Sequence, residues 1–502
     1  MSFRITYSVL NADLTELHAE FEAALSGVRG ALGKTHTRGE GELLADFNPA
    51  RSSELLAHFH MTNDPGPALE RAAKAQKAWA KRPWQERCDL LRKAADAISA
   101  DRMRLAAIMV LESGKNRLES LGDVEEAADL FRYYATQMEQ ANGYAQPLAK
   151  LQPTEDTRDV LRPYGVFSVL APFNFPLALG AGMSGAALLA GNTVLLKPSE
   201  ETPWCAHELE KILLEAGVPE GVLQVVYGRG ATLGEAMVSH PLTAGIAFTG
   251  SSHVGRTIMQ QQMGKPCLME MGGKNPTIIS QHAELDKAVD GTWRSAFGLS
   301  GQKCSALSRV YVHRSHLEEV RAALVEKAKS LTVGDPALRD IYMGPVINAA
   351  AVKRYERAAA EAKKDGTIWA GGGAASQEGH FVQPTIVSVP RGHRLVREEL
   401  FLPFLVIEPY DSFDEALQLV NDCEYGLTGG IFSKDSDEVE RFMDECEAGI
   451  LYANRKTGAT TGAWPGVQSF CGWKNSGSTG KGGCGPYYVA QFMREQSQTR
   501  MG

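Results

Sequence analysis

Between residues 166 and 271 short apolar runs alternate with longer amphipathic ones, and this alternation constrains the fold more than any other feature of the chain. Runs at 166–171, 193–197, 223–227, 245–249 and 267–271 have the length of buried strands, and the stretches 177–189, 203–216, 231–239 and 253–263 between them read as helices. Strand–helix alternation at this spacing closes right-handed crossovers onto a parallel sheet. A second series runs from 276 to about 470, with strands expected near 277–280, 309–313, 404–410 and 429–432 and helices at 285–296 and 316–331. The expected fold is therefore α/β, two doubly wound halves joined near residue 275 with a cleft between them.

The remaining segments read differently. Residues 67–140 form long Ala- and Leu-rich amphipathic runs, and 14–32 a further helical stretch. Residues 144–162 are extended, with Pro147 and Pro153 among alternating polar and apolar positions, as in a hairpin standing off the main body. The tail 487–500 is Gln-rich and also reads as extended. A chain of 502 residues can bury a large core without cross-links, and its hydrophobic fraction of 44% and charged fraction of 22% exclude disorder and fibrous folds. Its formal charge of −8 argues against a nucleic acid or an anionic membrane as partner, because phosphate contacts need a basic surface. No run of about 18 apolar residues is present, so no transmembrane helix is expected, and the N-terminus has no apolar leader core. The eight cysteines are scattered without a C-x-x-C pair, which predicts reduced thiols, a cytoplasmic address, and neither a disulfide framework nor a metal site.

Three segments carry candidate chemistry. Cys304, in Gly301-Gln302-Lys303-Cys304-Ser305-Ala306, follows a glycine that can turn its thiol outward, beside the cation of Lys303. A thiolate in such a setting is a nucleophile, although most lone cysteines are small structural hydrophobes. Glu270 ends an apolar run and precedes Gly272-Gly273-Lys274. Burial there poises a carboxylate as a base toward water, and an ion pair with Lys274 is the scaffold alternative. Asn174, in Ala171-Pro172-Phe173-Asn174-Phe175-Pro176, sits where ligands gather in open α/β sheets; it is either an oxyanion donor or a turn residue. For a cofactor, Gly-x-Gly-x-x-Gly is absent, and Gly228-Arg229-Gly230 only approximates it. Gly250-Ser251, with Gly255 a turn later, opens a helix whose N–H groups can hold a pyrophosphate, or simply caps it. Lys197-Pro198-Ser199-Glu200 adds a cation and a carboxylate suited to ribose hydroxyls, or a solvated loop.

Taken together, in this order and spacing, these segments resemble the NAD(P)-dependent aldehyde dehydrogenase superfamily over nearly the whole chain. The resemblance implies two doubly wound parallel-sheet domains, one a Rossmann-like cofactor domain (1–143 and 166–275) and one catalytic (276–486), plus a small β oligomerisation flap (144–165 and 487–502). It implies that Cys304 attacks an aldehyde, that Asn174 and the Cys304 N–H hold the oxyanion, that hydride passes to NAD, and that Glu270 activates the water that hydrolyses the thioester. Lys197, Ser199, Glu200 and Gly230 match the adenosine end of the cofactor site, Gly250, Ser251 and Gly255 its pyrophosphate site, and Glu399 and Phe401 the nicotinamide-ribose pair. NAD is expected over NADP, because Glu200 repels a 2′-phosphate.

Within the superfamily the loops are most similar to those of the 1-pyrroline-5-carboxylate dehydrogenases. Ser305, Gly458 and Ala459 then match a substrate-carboxylate anchor, with Phe175 and Phe470 flanking the aliphatic chain, although this sequence carries extra residues within 460–465. The implied reaction is oxidation of L-glutamate γ-semialdehyde to L-glutamate in proline degradation by a homo-oligomer. Another ω-semialdehyde of amino-acid or aromatic breakdown is the alternative. A CoA-acylating enzyme is disfavoured because such enzymes generally lack the base at Glu270, and a silent scaffold because Cys304 and Glu270 are both present.

Overall fold

The computed structural model describes residues 15–374, 378–456 and 463–502. Its first parallel sheet has five strands in the order Cys267–Met271, Thr243–Gly250, Val166–Leu170, Thr193–Lys197, Leu223–Val225. The strand Thr193–Lys197 is buried along its whole length, which is why it reads as a continuous apolar run rather than an alternating one. Helices Ala178–Leu189, Pro203–Ala216 and Ser252–Gln261 make the crossovers. The helix expected at 231–239 is split: a π-turn at Gly230–Gly234 precedes a single turn at Glu235–Ser239. Gly230 and Gly234, poor helix formers, bracket that π-turn.

At Asn275 the chain enters a second sheet of seven strands, ordered Thr367–Ala370, Thr385–Ser388, Phe404–Tyr410, Leu307–His313, Asn275–Ile279, Thr428–Phe432, Ile450–Ala453. Its neighbours are parallel except for the antiparallel edge pair Thr367–Ala370 with Thr385–Ser388. Both strand series expected from the sequence are present, in two separate sheets.

Before the first sheet come helices Gly66–Lys81, Trp84–Ala100, Arg102–Ser113 and Arg117–Gln140. The last is the longest. Asn116 caps it by accepting the Glu119 N–H at 2.9 Å, and it packs on Ala178–Leu189 so closely that a Cβ at Gly185 would lie 2.5 Å from the Phe131 ring. This helix matters for the site because one of its faces walls a cavity.

The third unit is a sheet of Ala145–Pro147, Glu155–Pro163 and Met493–Met501. The tail strand runs antiparallel to Glu155–Pro163 in continuous register, from Met493 opposite Pro163 to Met501 opposite Glu155. The tail is not extended from residue 487, however. Val489–Phe492 forms a 3-10 turn, because Phe492 seats on Phe167 at 4.9 Å and Tyr488 on Tyr134 at 5.5 Å between ring centroids. Among the described residues no helix is long and apolar enough to cross a membrane, and no group of His, Cys, Asp or Glu is arranged to hold a metal ion.

Candidate active site

The loop that carries Cys304 is held in an unusual backbone. Leu299, Ser300 and Gly301 take φ of +48°, +55° and +67° in succession. A Cβ on Gly301 would lie 2.2 Å from the Leu402 carbonyl oxygen, so only glycine fits there. The loop is tied down on the other side by the Asn275 amide, which donates to the Cys304 carbonyl at 2.8 Å and to that of Ala306 at 2.8 Å. The paired glycines after Glu270 now have a reason: a Cβ on Gly273 would press on the Cys304 carbonyl at 2.6 Å, and one on Gly272 on the Glu399 carboxylate at 1.9 Å.

Cys304 is partly exposed and lies where two cavities meet. Burial, then the charges of Glu399 and Glu270, push its thiol up, while the N–H groups of Ser305 and of Cys304 itself pull the other way. The expected activating cation is absent from that balance. Lys303 turns away and pairs with Glu119 at 2.8 Å, both side chains buried, because an ammonium in the core needs a carboxylate within reach.

The first cavity, about 830 Å3, holds Glu270, Cys304 and Ser305 and is walled by Phe175 and Phe470. Glu270 is not an ion-pair partner of Lys274: its Oε2 and the Lys274 Nζ are both buried without a hydrogen-bond partner among the described residues. Burial therefore pushes the Glu270 carboxyl well above the usual carboxylate range, opposed only by the Gly483 N–H. Phe175 is held in place by the Lys115 ammonium, 3.6 Å from its ring centroid, which is itself paired with Asp123 at 2.6 Å. Among the lining residues that escaped the sequence reading are Glu126 and Tyr134 from one face of helix Arg117–Gln140, and Cys484 and Tyr488 from the approach to the tail. The acidic position on an otherwise core-facing helix stripe was the available signal for Glu126. The Gly482-Gly483-Cys484-Gly485 run was the one for Cys484. Gly458 and Ala459 lie outside the described residues.

The second cavity, about 1340 Å3, opens along the carboxyl ends of the first sheet and is lined by Asn174, Lys197, Ser199, Glu200, Gly250, Ser251, Glu399 and Phe401. Asn174 is 3% exposed and shares this cavity with Cys304. The Lys197 ammonium donates to the Pro198 carbonyl at 2.9 Å and lies 3.9 Å from Glu200. Glu200 in turn accepts the Gly230 N–H at 2.6 Å, so Gly230 acts through Glu200 rather than as part of the wall. Ser199 accepts the Glu201 N–H at 3.3 Å, a turn contact. Ser251 caps its helix, accepting the Val254 N–H at 3.3 Å. Gly255 is not in the wall either; a Cβ there would strike Met271 Sδ at 2.5 Å, so it serves close helix–strand packing. Glu399 accepts the Gly273 N–H at 2.9 Å, and burial lifts its carboxyl to about 7 against the pull of that N–H, Lys274 and Arg354. Arg354, which lines the same cavity from helix Ala349–Asp365, was not singled out from the sequence.

This arrangement suits a nicotinamide dinucleotide. The cavity lies at the strand ends of a doubly wound sheet, offers one helix N-terminus and the carboxylates of Glu200, Glu201 and Glu399, which can accept from ribose hydroxyls, and reaches the thiol of Cys304.

Comparison with known proteins agrees with that geometry. The model of the aldehyde dehydrogenase family matches residues 36–497. The 1-pyrroline-5-carboxylate dehydrogenase 1 of Halalkalibacterium halodurans is 37% identical over 499 residues, covering 96% of each chain. Among solved structures, 1-pyrroline-5-carboxylate dehydrogenase from Thermus with bound NAD superposes with a TM-score of 0.94 at 33% identity, over 100% of this chain and 99% of that one. Proline utilization A from Bdellovibrio bacteriovorus gives a TM-score of 0.91 at 38% identity over 96% of this chain, which spans about half (52%) of that longer protein.

Proposed function

Since the chain belongs to the aldehyde dehydrogenase family, we propose that it oxidises L-glutamate γ-semialdehyde, the open form of 1-pyrroline-5-carboxylate, to L-glutamate with NAD. The observation that carries this reading is the meeting of the two cavities at Cys304, with Glu270 and Ser305 on the aldehyde side and Asn174 and Glu399 on the cofactor side.

The Cys304 sulfur adds to the aldehyde carbon, and its proton leaves toward solvent or Glu270. The oxygen that gains charge is met by the Cys304 N–H, which already points at the sulfur, and by the Asn174 amide. Lys197, Glu200, Glu399 and Phe401 hold NAD, which when bound accepts the hydride that turns the thiohemiacetal into a thioester. Glu270 then takes a proton from a water as that water attacks the thioester, and Cys304 leaves as thiolate. The raised affinity of Glu270 for a proton suits it to this step, since a base of ordinary carboxylate strength would take little from water. Glu200, close to Lys197 at the ribose end, favours NAD over NADP by repelling a 2′-phosphate.

On the aldehyde side, Phe175 and Phe470 shape a slot for a short methylene chain beside Ser305, and the family resemblance assigns the carboxylate anchor to Ser305 together with Gly458 and Ala459. Hydrogen bonds from these donors to a carboxylate are charge-assisted, each contributing about 1.5–3 kcal/mol. The same reading carries a cytosolic homo-oligomer, built where the β flap presents free strand edges and exposed Leu151 and Met501. The test of the substrate is kcat/KM for glutamate semialdehyde against pentanal, which lacks the carboxylate and should be worse on the order of 10²-fold or more. Equal efficiencies would leave an aldehyde dehydrogenase whose anchor is unused.

A further inference from the structure

The extra residues within 460–465 set this sequence apart from the loops it resembles, and the proposed chemistry gives them no task. Trp464 is one of them and is 5% exposed. Its indole N–H donates to Asp129 Oδ2 at 2.8 Å, and Asp129, 4% exposed, belongs to helix Arg117–Gln140. The chain neighbours of both partners line the aldehyde cavity: Ala463 beside Trp464, and Leu130 beside Asp129. The strip after Trp464 lies against the same helix, where a Cβ on Gly466 would come 2.9 Å from the Tyr133 ring. Its far end is tied to the second sheet. The Gln468 amide donates to the Leu451 carbonyl at 3.0 Å and accepts from Arg455 at 3.2 Å. Two residues on, Phe470 forms part of the cavity wall.

An indole N–H and a carboxylate placed this deep need partners, and each supplies what the other lacks. The strip is thus fixed to the second sheet at Gln468 and to the helix at Trp464, and the wall from Ala463 to Phe470 is fixed with it. We infer that Trp464 is a positioning residue for substrate length: its contact with Asp129 holds this wall in place and limits the cavity to a five-carbon semialdehyde. This rests on the substrate class proposed above. One methylene in an apolar pocket changes catalytic efficiency by about 10–200-fold, so a wall freed by a lost hydrogen bond reads out as a change in length preference.

The test compares glutamate semialdehyde with its homologue one methylene longer, α-aminoadipate δ-semialdehyde. The parent should favour the shorter by about tenfold or more in kcat/KM. Trp464→Phe keeps a ring and removes the N–H. It should bring the ratio to within about threefold, chiefly by lowering KM for the longer aldehyde. Asp129→Ala reads the same contact from the other side and should do the same; Arg132, paired with Asp129 at 3.2 Å, keeps Asp96 at 2.9 Å. Combining the two should change nothing further, because both remove one contact. Asp129→Asn, whose amide oxygen still accepts the indole N–H, should keep the parent ratio. A merely structural contact would lower the melting temperature and both efficiencies together, leaving the ratio where it was. A parent indifferent to length, an unchanged ratio in Trp464→Phe or Asp129→Ala, or an Asp129→Asn as relaxed as Asp129→Ala overturns the role of Trp464. That failure is distinct from failure of the substrate reading, which would show as a parent enzyme without preference for glutamate semialdehyde over pentanal.

Discussion

Cys304, the proposed nucleophile, rests as a thiol. Burial is the main reason, and the Glu399 carboxylate is the next. Glu399 itself titrates at about 7, so it is ionised over the range in which the sulfur loses its proton. Replacing it with glutamine removes a negative charge while keeping an acceptor for the Gly273 N–H. The sign is fixed: without that charge the thiolate is less disfavoured, and the thiol titrates lower. Glu399→Gln, free of cofactor, should therefore be alkylated by iodoacetamide several-fold faster at about pH 8.5, with the rate–pH curve displaced to lower pH. An unshifted curve would mean that Glu399 does not feel the sulfur. Lys303 was the cation expected to lower this thiol, and its diversion to Glu119 could not be read from the sequence, because that partner lies 184 residues away in another element.

At the scale of elements, the site depends on two loops pressed together, 298–306 and 270–275. Gly301 is where they are least forgiving, with φ of +67° and the Leu402 carbonyl 2.2 Å from any added Cβ. Gly301→Ala should lower stability by about 2 kcal/mol or more and, by displacing Cys304, cut kcat on the order of 10²-fold. A melting temperature and kcat like those of the parent would show a loop that yields. Much at this scale was legible. The runs at 193–197 and 267–271 became strands with those bounds, the first because a fully buried parallel strand is apolar on both faces, the second as an apolar edge strand interrupted only by Glu270, which lines the aldehyde cavity. Glu270 and Cys304 were legible as candidates from their glycine-rich settings. The tail turn Val489–Phe492 was not, since it forms to seat Phe492 on Phe167 and Tyr488 on Tyr134, contacts that local pattern does not encode. Arg354 was hidden for the same kind of reason: a charged residue on an amphipathic helix reads as solvated until the helix is placed beside the cofactor cavity.

The molecule as a whole has two large sheets that meet at Cys304, which lies beside the carboxyl ends of the first sheet's strands and just before strand Leu307–His313 of the second, and a small β flap built on Glu155–Pro163. The flap depends on the tail, whose strand Met493–Met501 pairs along the full length of Glu155–Pro163. Removing that strand bares a nine-residue edge and should convert the proposed homo-oligomer to monomer or aggregate, seen as a change of mass by light scattering. A truncated protein of unchanged subunit number would place the interface elsewhere. The central claim is that Cys304 carries the acyl group of an amino-acid semialdehyde and that Glu270 releases it. Its most direct measurement uses Glu270→Gln incubated with NAD and glutamate semialdehyde, then digested and analysed by mass spectrometry. The expected result is one glutamyl group on the peptide that contains Cys304, accompanied by a single burst of NADH. An unmodified Cys304 peptide with undiminished steady turnover, or a glutamyl group on another residue, would contradict the account.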